Sequence, residues 1–342
     1  MPLHEHFDLR PYNSLKISCV ARYFIPIQTI ADVRALVQSP TFHASPHLVL
    51  GSGTNTLFAT GTYNGFVLKN EITGIETVSH TDRHTILRIG GGVLWDELVE
   101  YCVDADLGGV ENLAAIPGTT GAAPVQNIGA YGVEIASLLE NVEAVDLVTG
   151  DTHVLSNRDC EFGYRDSVFK HARKDVLIAS VTLKLTKAPY HRPNTTYGSI
   201  RNVLAAVGVA EPTIQCVAEA VRQIRARKLP DPKILANAGS FFKNPVVDTA
   251  TSRCLTKLHP QMPLFPQSGR GSMTVPAAFL IQTCGWKGWT DGRLGVYYNH
   301  ALILVHHGGA SGKDVLELAQ KISDSVWKRF AIRLQPEVNV VH

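Results

Sequence analysis

The sequence predicts an α+β fold. Short strands and glycines crowd the first half with only occasional helices, which is not the repeated βαβ order of a parallel sheet. Helical spacing of apolar residues concentrates in the second half. The composition changes near Pro189-Tyr190-His191-Arg192-Pro193, which marks a boundary. At 342 residues the chain is long for one core, so two or three domains are expected. The expected limits are 1–190, with a split near 75 into two subdomains, then 191–330, then a terminal strand over 331–342.

Each element follows from local pattern. His47-Leu48-Val49-Leu50 is a strand that runs into the turn Gly51-Ser52-Gly53-Thr54-Asn55. Strands are expected over 65–68, 85–89, 142–148, 152–155 and 176–185. Leu94, Leu98, Val99 and Cys102 recur at helical spacing, and Gly108-Gly109 ends that helix. Thr213 caps a helix whose apolar face is Ile214, Val217, Val221 and Ile224, and Pro230 and Pro232 stop it. A short helix spans 277–284 with Gly285 at its C-terminus. Residues 300–305 form a buried strand. Ser311 caps a last helix with Val315, Leu318, Ile322 and Val326 inward, and a strand over 334–340 closes the chain.

Composition excludes several function classes. Hydrophobic content of 45% with 18% charged residues is that of a soluble globular protein. A net charge of +2 and a pI near 8.2 fall short of a nucleic-acid footprint, which needs a pI above ~9 with clustered Lys and Arg. The first residues lack the layout of a signal peptide, and no apolar run approaches the ~18 residues of a membrane span. A cytoplasmic protein is expected. The six cysteines are scattered with no CxxC pair, so they are expected to be reduced. The fourteen histidines form no metal-binding spacing, and His306 and His307 point to opposite faces of a strand. No metal is expected.

Four segments carry chemistry. Gly51-Ser52-Gly53-Thr54-Asn55 can turn successive N–H groups toward a phosphate, although it lacks the third glycine of a dinucleotide fingerprint. The stretch from Glu111 to Gly132 holds four glycines and a single charge, which gives backbone amides access to a large ligand. Two such segments suit a ligand with a pyrophosphate and an extended ring system; a tight turn and a packed loop are the plainer alternatives. Phe162-Gly163-Tyr164-Arg165-Asp166-Ser167 offers a planar guanidinium for a carboxylate, or a surface Arg–Asp pair. Asn237-Ala238-Gly239-Ser240-Phe241-Phe242-Lys243-Asn244-Pro245 places a hydroxyl, a cation and a carboxamide around two anchoring phenylalanines, the composition of an active-site wall. Glu337 is either an edge residue or an inward carboxylate. Arg222, Arg225, Arg227 and Lys228 at a helix end complement the helix dipole or draw in anions.

Taken in order, these segments resemble the UDP-N-acetylenolpyruvoylglucosamine reductase (MurB) family over nearly the whole chain. Lys228-Leu229-Pro230-Asp231-Pro232, Gln126-Asn127-Ile128-Gly129-Ala130-Tyr131-Gly132 and Pro336-Glu337-Val338 add to the likeness. Thr196-Tyr197-Gly198 is similar to the longer, type I branch. The resemblance implies an FAD-binding domain of the vanillyl-alcohol-oxidase (PCMH) type, followed by a smaller α+β substrate domain. It implies non-covalent FAD, NADPH as reductant, and UDP-N-acetylglucosamine enolpyruvate as substrate, in a bacterial monomer of peptidoglycan precursor synthesis.

By the same resemblance the FAD contacts are Gly51, Ser52, Gly53, Thr54, Asn55, Ile116, Pro117, Gly118, Thr120, Gly121, Asn127, Gly129, Ala130 and Tyr131. The resemblance makes Arg165 and Glu337 the pair that polarises the substrate carboxylate, and Ser240 the proton donor, helped by a nearby cation such as Lys228. Tyr164, Tyr197, Lys228, Asn244 and Lys287 match substrate-holding positions. Thr274 departs from the family's basic residue, and Arg270 is expected to supply that charge. Two other readings remain at this point: an FAD-dependent oxidase or dehydrogenase of the same fold, and a non-catalytic nucleotide-binding protein. Neither glycine-rich segment contains a histidine for a covalently linked flavin.

Overall fold

The computed structural model describes residues 2–266 and 271–342. Its contacts divide the chain into two units. The first comprises the residues up to Phe7, Ala21–Gly53 and Asn64–Arg227; the second comprises Asp8–Val20, Thr54–Tyr63 and Lys228–His342.

The first unit is built on two sheets. A four-stranded sheet has the order His4–Asp8, Val20–Ile27, Thr62–Asn70, His47–Leu50, and its last pair is parallel. The helix Ile30–Leu36 follows a capping box in which Thr29 and Asp32 satisfy each other's backbone N–H groups. The larger sheet is antiparallel, ordered Thr152–Ser156, Leu139–Asp146, Val176–Lys187, His84–Gly90, Ile75–His80. Its central strand, Val176–Lys187, buries its first eight residues in succession, as a strand covered on both faces must. On one face Leu177 and Ala179 join Ile25, Val33, Phe42 and Leu68. On the other, Ile178 and Val181 meet two helices. Trp95–Asp104 contributes Trp95, Leu98, Val99 and Cys102, and Ile214–Lys228 contributes Val217, Ala218 and Val221. Leu94, expected on the inner face, is an exposed N-cap residue instead, because the helix starts one residue later.

The second unit has its own core. A three-stranded sheet, Ala236–Ser240, Ile303–His306 and Leu294–Val296, packs with the helices Ala277–Thr283 and Gly312–Phe330. Ser311 and Asp314 form a capping box at the start of Gly312–Phe330. The closing strand is Asn339–Val341, parallel to Thr56–Phe58. Glu337 precedes that strand and does not lie within it. Pro336 lacks the N–H that a longer ladder would need there, and the backbone forms an isolated bridge to the 241–243 segment through Glu337 N to Phe241 O and Lys243 N to Gln335 O.

The units do not follow contiguous limits at 190 and 330. Residues 54–63 belong with the second unit because Thr56–Phe58 pairs with the closing strand. The helix Ile214–Lys228 belongs, up to Arg227, with the first, because its apolar stripe is buried in that core. Among the described residues, no helix is long and apolar enough to cross a membrane.

Candidate active site

In the first unit the strand His47–Leu50 delivers the chain to Gly51, where a Cβ would lie 2.6 Å from the Thr119 Oγ1. A larger residue would have to displace the Thr119 hydroxyl, and this close approach brings the two glycine-rich segments together. The backbone continues through Gly53 with φ +62°. The 111–132 segment is folded as three one-turn 3-10 helices, Glu111–Leu113, Thr120–Ala122 and Pro124–Gln126. The Trp95 Nε1 donates to Leu113 O at 3.0 Å, and the Ala115 N donates to Asp96 Oδ1 at 2.7 Å.

Two residues expected at the cofactor also have packing roles. The Thr120 Oγ1 donates to Val93 O, and at Gly121 a Cβ would stand 2.9 Å from Gly91. Ile116, Pro117 and Gly118 lie between these fixed points, with Gly118 at φ +141°. Among the described residues nine non-glycine residues have positive φ, and four of them are Ala115, Asn127, Tyr131 and Arg165. Such conformations cost on the order of 1–3 kcal/mol each and gather where function demands them. Their concentration in two segments supports both as site walls.

Arg165 sits on a tight turn closed by reciprocal bonds between Gly163 and Asp166. Its Nη2 donates to Gly129 O at 2.9 Å, and the Lys170 Nζ donates to its carbonyl. The guanidinium also lies 5.4 Å from the Tyr164 ring. Asp166 pairs with His171, so the surface Arg–Asp alternative is not what forms. Tyr131 and Tyr197 meet edge to face at 5.7 Å, and Asn112 donates both to Tyr131 O and to Asn194 O.

Arg225 was not among the expected site residues, and it is the most informative omission. Its guanidinium is withdrawn from water, which lowers its pKa from the usual arginine range; Tyr131 and Asp96 partly offset this, while Arg165 adds to it. It donates to Ala115 O at 3.2 Å and bonds the Tyr131 hydroxyl. A signal existed: Ile214, Ala218, Val221 and Arg225 recur at i, i+4, i+7 and i+11, so a cation falls on the buried stripe. Its neighbour Arg222 is neutralised by Asp96 at 2.5 Å and Glu100 at 3.3 Å.

In the second unit Ser240 ends the strand Ala236–Ser240, just past an irregularity in its pairing with Ile303–His306. Gly239 at φ +70° makes the kink, and Asn237 braces it. Its amide donates to Pro230 O and Leu235 O and accepts from the Gly239 N. Phe241 and Phe242 are buried anchors as expected. The Glu337 N donates to Phe241 O at 2.8 Å, which places Ser240 and Glu337 on adjoining backbone. The Asn55 side-chain amide donates to Glu337 O at 3.4 Å, and the Asn55 backbone carbonyl accepts from the Asn339 N. Asn55 thereby ties down the C-terminal segment, and Thr54 lies beside it in this unit. Asn244 accepts from the Ala277 N and so caps a helix whose N-cap, Pro276, offers no side-chain acceptor.

Lys228 and Lys287 are exposed and act on one common neighbour, His300. Burial chiefly, then these two ammonium groups, pushes the His300 pKa down to about 4. The imidazole is neutral at pH 7, so the cations here are the lysines. A depressed histidine binds fewer protons folded than unfolded. Stability from this site is therefore present above the ordinary pKa of 6.5 and is lost as pH falls toward about 4. Chemical denaturation of His300→Gln across that window is expected to show a shallower fall in stability than the wild type. Thr274 lies in the strand Ser272–Thr274, paired with Val246 and Phe265, and Arg270 lies outside the described residues.

Among the described residues no cluster of His, Cys, Asp and Glu is arranged for a metal. The first unit instead fits a large organic cofactor. From Asn112 to Gly132 no side chain carries a charge, the backbone is held open at several positive φ values, and a withdrawn guanidinium stands beside it. These features suit a neutral ring system with an anionic part.

Comparison with known proteins agrees. Residues 21–157 match an FAD binding domain, which includes both glycine-rich segments. Residues 231–341 match the UDP-N-acetylenolpyruvoylglucosamine reductase C-terminal domain, which includes Ser240, Asn244, Lys287 and Glu337. The chain is 40% identical to the UDP-N-acetylenolpyruvoylglucosamine reductase of Amoebophilus asiaticus over the full length of both. It is 43% identical to that of an Azoarcus species, covering 96% of this chain and 95% of the relative. The crystal structure of the Thermus caldophilus enzyme covers all of this chain and 98% of its own at 25% identity, with a TM-score of 0.67. Fold and site together define an FAD-binding oxidoreductase of α+β architecture. The chain belongs to the UDP-N-acetylenolpyruvoylglucosamine reductase family.

Proposed function

We propose that this enzyme reduces UDP-N-acetylglucosamine enolpyruvate to UDP-N-acetylmuramate in peptidoglycan precursor synthesis, using NADPH as the electron source and FAD as the carrier. The observation that carries the reading is the kink at Gly239, which ends a braced strand at Ser240 with Glu337 bonded to the next residue. A hydroxyl carried on backbone braced in this way, beside a carboxylate-bearing segment, is suited to deliver a proton to a defined atom.

Bound FAD supplies a hydride to C3 of the enol ether. Negative charge then develops toward the substrate carboxylate, and C2 requires a proton. Ser240 is the donor of that proton, and Glu337 orients it or shares the proton. Arg165, held by Gly129 O and Lys170, is preorganised to stabilise the developing charge; electrostatic contributions of this kind reach about 3 kcal/mol. Lys228 and Lys287, flanking neutral His300, suit a diphosphate. Asn244 sits nearby in sequence to Ser240, and Tyr164 and Tyr197 offer exposed rings for the sugar or base. Gly51, Ser52, Gly53, Gly129, Ala130 and Tyr131 are proposed to hold the cofactor, as are Ile116, Pro117 and Gly118. The same reading makes the protein a bacterial cytoplasmic monomer, which sedimentation of the purified enzyme tests.

The deciding experiment is an anaerobic visible spectrum after one equivalent of NADPH, repeated after the enolpyruvyl sugar is added. The flavin band is expected to bleach and to return only with the sugar. A band that stays bleached until air is admitted would indicate an oxidase, and a colourless protein that takes up no FAD would end the reading.

A further inference from the structure

Asn127 lies in the segment expected to touch the cofactor, yet its side chain is spent elsewhere. It is 1% exposed. Its Nδ2 donates to Glu134 Oε2 at 2.8 Å and to Gly163 O at 3.0 Å, and its Oδ1 accepts from the Ala136 N at 3.2 Å. A carboxylate and a carbonyl can only accept and an amide N–H can only donate, so the orientation of this carboxamide is forced. Both donor hydrogens are used inside the protein. The residue also adopts φ +46°, which asparagine tolerates better than most residues.

Gly163 opens the turn that presents Arg165, and the Arg165 Nη2 bonds Gly129, two residues beyond Asn127. At Gly129 a Cβ would meet Glu134 Cγ at 2.9 Å and Arg165 Nη1 at 3.3 Å, so the loop, Glu134 and the guanidinium share one crowded corner. The 127–136 loop and the 163–166 turn are therefore coupled twice, once through the Asn127 amide and once through Arg165 itself.

We propose that Asn127 is a positioning residue for Arg165, acting through Gly163, and that its side chain is not a cofactor ligand. This rests on the reading of Arg165 as the group that stabilises charge on the substrate. Asn127→Asp is the informative change. It keeps the tolerance for positive φ and the acceptor toward Ala136, deletes both donors, and sets two carboxylates against each other at Glu134. Adding Glu134→Gln removes that repulsion and restores a donor–acceptor pair there, but not the bond to Gly163, and so keeps the test available if the single variant folds poorly.

In the double variant, FAD affinity by titration of the apoprotein and the rate of flavin reduction by NADPH are expected to stay within about threefold of wild type. Flavin reoxidation by the enolpyruvyl sugar is expected to slow about 100-fold, the scale of a misplacement near 1 Å. Hydrogen exchange at the Gly163 and Asp166 amides should quicken. Repeated in an Arg165→Ala background, the same two changes should no longer slow reoxidation further, because coupled residues are not additive. Equal slowing in both backgrounds, or weakened FAD binding with reoxidation intact in the loaded fraction, would overturn the proposal. If the wild-type flavin is not reoxidised by the sugar, the functional reading fails, and exchange at Gly163 and Asp166 still decides whether Asn127 holds the turn.

Discussion

Replacing Ser240 by alanine is expected to leave flavin reduction by NADPH at its normal rate and to slow reoxidation by the enolpyruvyl sugar by about 10²–10⁴-fold, the range of a lost general acid. The change removes one oxygen from a half-buried side chain and leaves the backbone untouched. The Phe241 N still donates to Leu302 O, the Glu337 N still donates to Phe241 O, and Asn237 still braces Gly239. A fall confined to one half-reaction therefore reports chemistry and not folding. Serine is a weak acid in water, so the assignment demands a strongly basic carbon acceptor and a favourable field. Lys228 was expected to provide that field. The charge interaction resolved for it is with His300, so a Lys228→Met variant should weaken substrate binding more than it slows protonation. Stopped-flow traces of both half-reactions check these outcomes together. Reoxidation of Ser240→Ala at the wild-type rate would remove serine from the role of acid.

What the sequence disclosed and what it concealed divide by the range of the interactions involved. The Ser311 and Thr213 caps depend on neighbours three residues away, and the strands at 47–50 and 176–185, although paired with distant segments, announce themselves by their local apolar runs; all of them are legible. The active-site wall at 237–245 was legible for the same reason, since Phe-Phe beside Ser, Lys and Asn is contradictory in any ordinary element. The discontinuous second unit was not. Its segments 8–20 and 54–63 join it through bonds such as Asn237 N to Ser14 O and the parallel pairing of 56–58 with 339–341, which no local pattern announces. Arg225 was visible, but nothing local singled it out from the other three basic residues of its run. A run of four basic residues at a helix end has a cheap dipole explanation, and only the face on which each one falls separates the buried cation from its solvated neighbours. Asn55, Thr120 and Gly121 have the opposite history. The family likeness points them toward a ligand, while hydrogen bonds and close backbone approach show each of them also serving the protein itself.

Among the described residues two helices of eight or more residues begin with glycine, and alanine in their place is expected to have opposite effects. Gly198 opens the helix Gly198–Ala206, where an added Cβ would meet nothing within 4 Å and the backbone is not in the positive-φ region. Gly198→Ala should be neutral or stabilising by about 0.5 kcal/mol, because alanine leaves the unfolded chain fewer conformations to lose. Gly312 opens the helix Gly312–Phe330, and there the Cβ would overlap Phe58 O and fall 2.7 Å from Phe58 C. Neither atom belongs to a flexible side chain. Phe58 is paired with Val341, and the next residue, Ala59, donates its N–H to Val341 O at 2.7 Å, so the obstructing backbone cannot yield without disturbing the closing strand. Overpacking of a core costs about 1–3 kcal/mol when side chains can adjust, and Gly312→Ala should meet or exceed the top of that range. Urea denaturation followed by circular dichroism measures both variants on one scale. The strand that would be displaced begins two residues after Glu337, and Asn55 bonds both Glu337 O and the Asn339 N. The folded fraction of Gly312→Ala should therefore also lose reoxidation rate while keeping FAD. A variant as stable as wild type would mean that the helix start shifts freely against Phe58, and Glu337 would then not depend on this contact for its place.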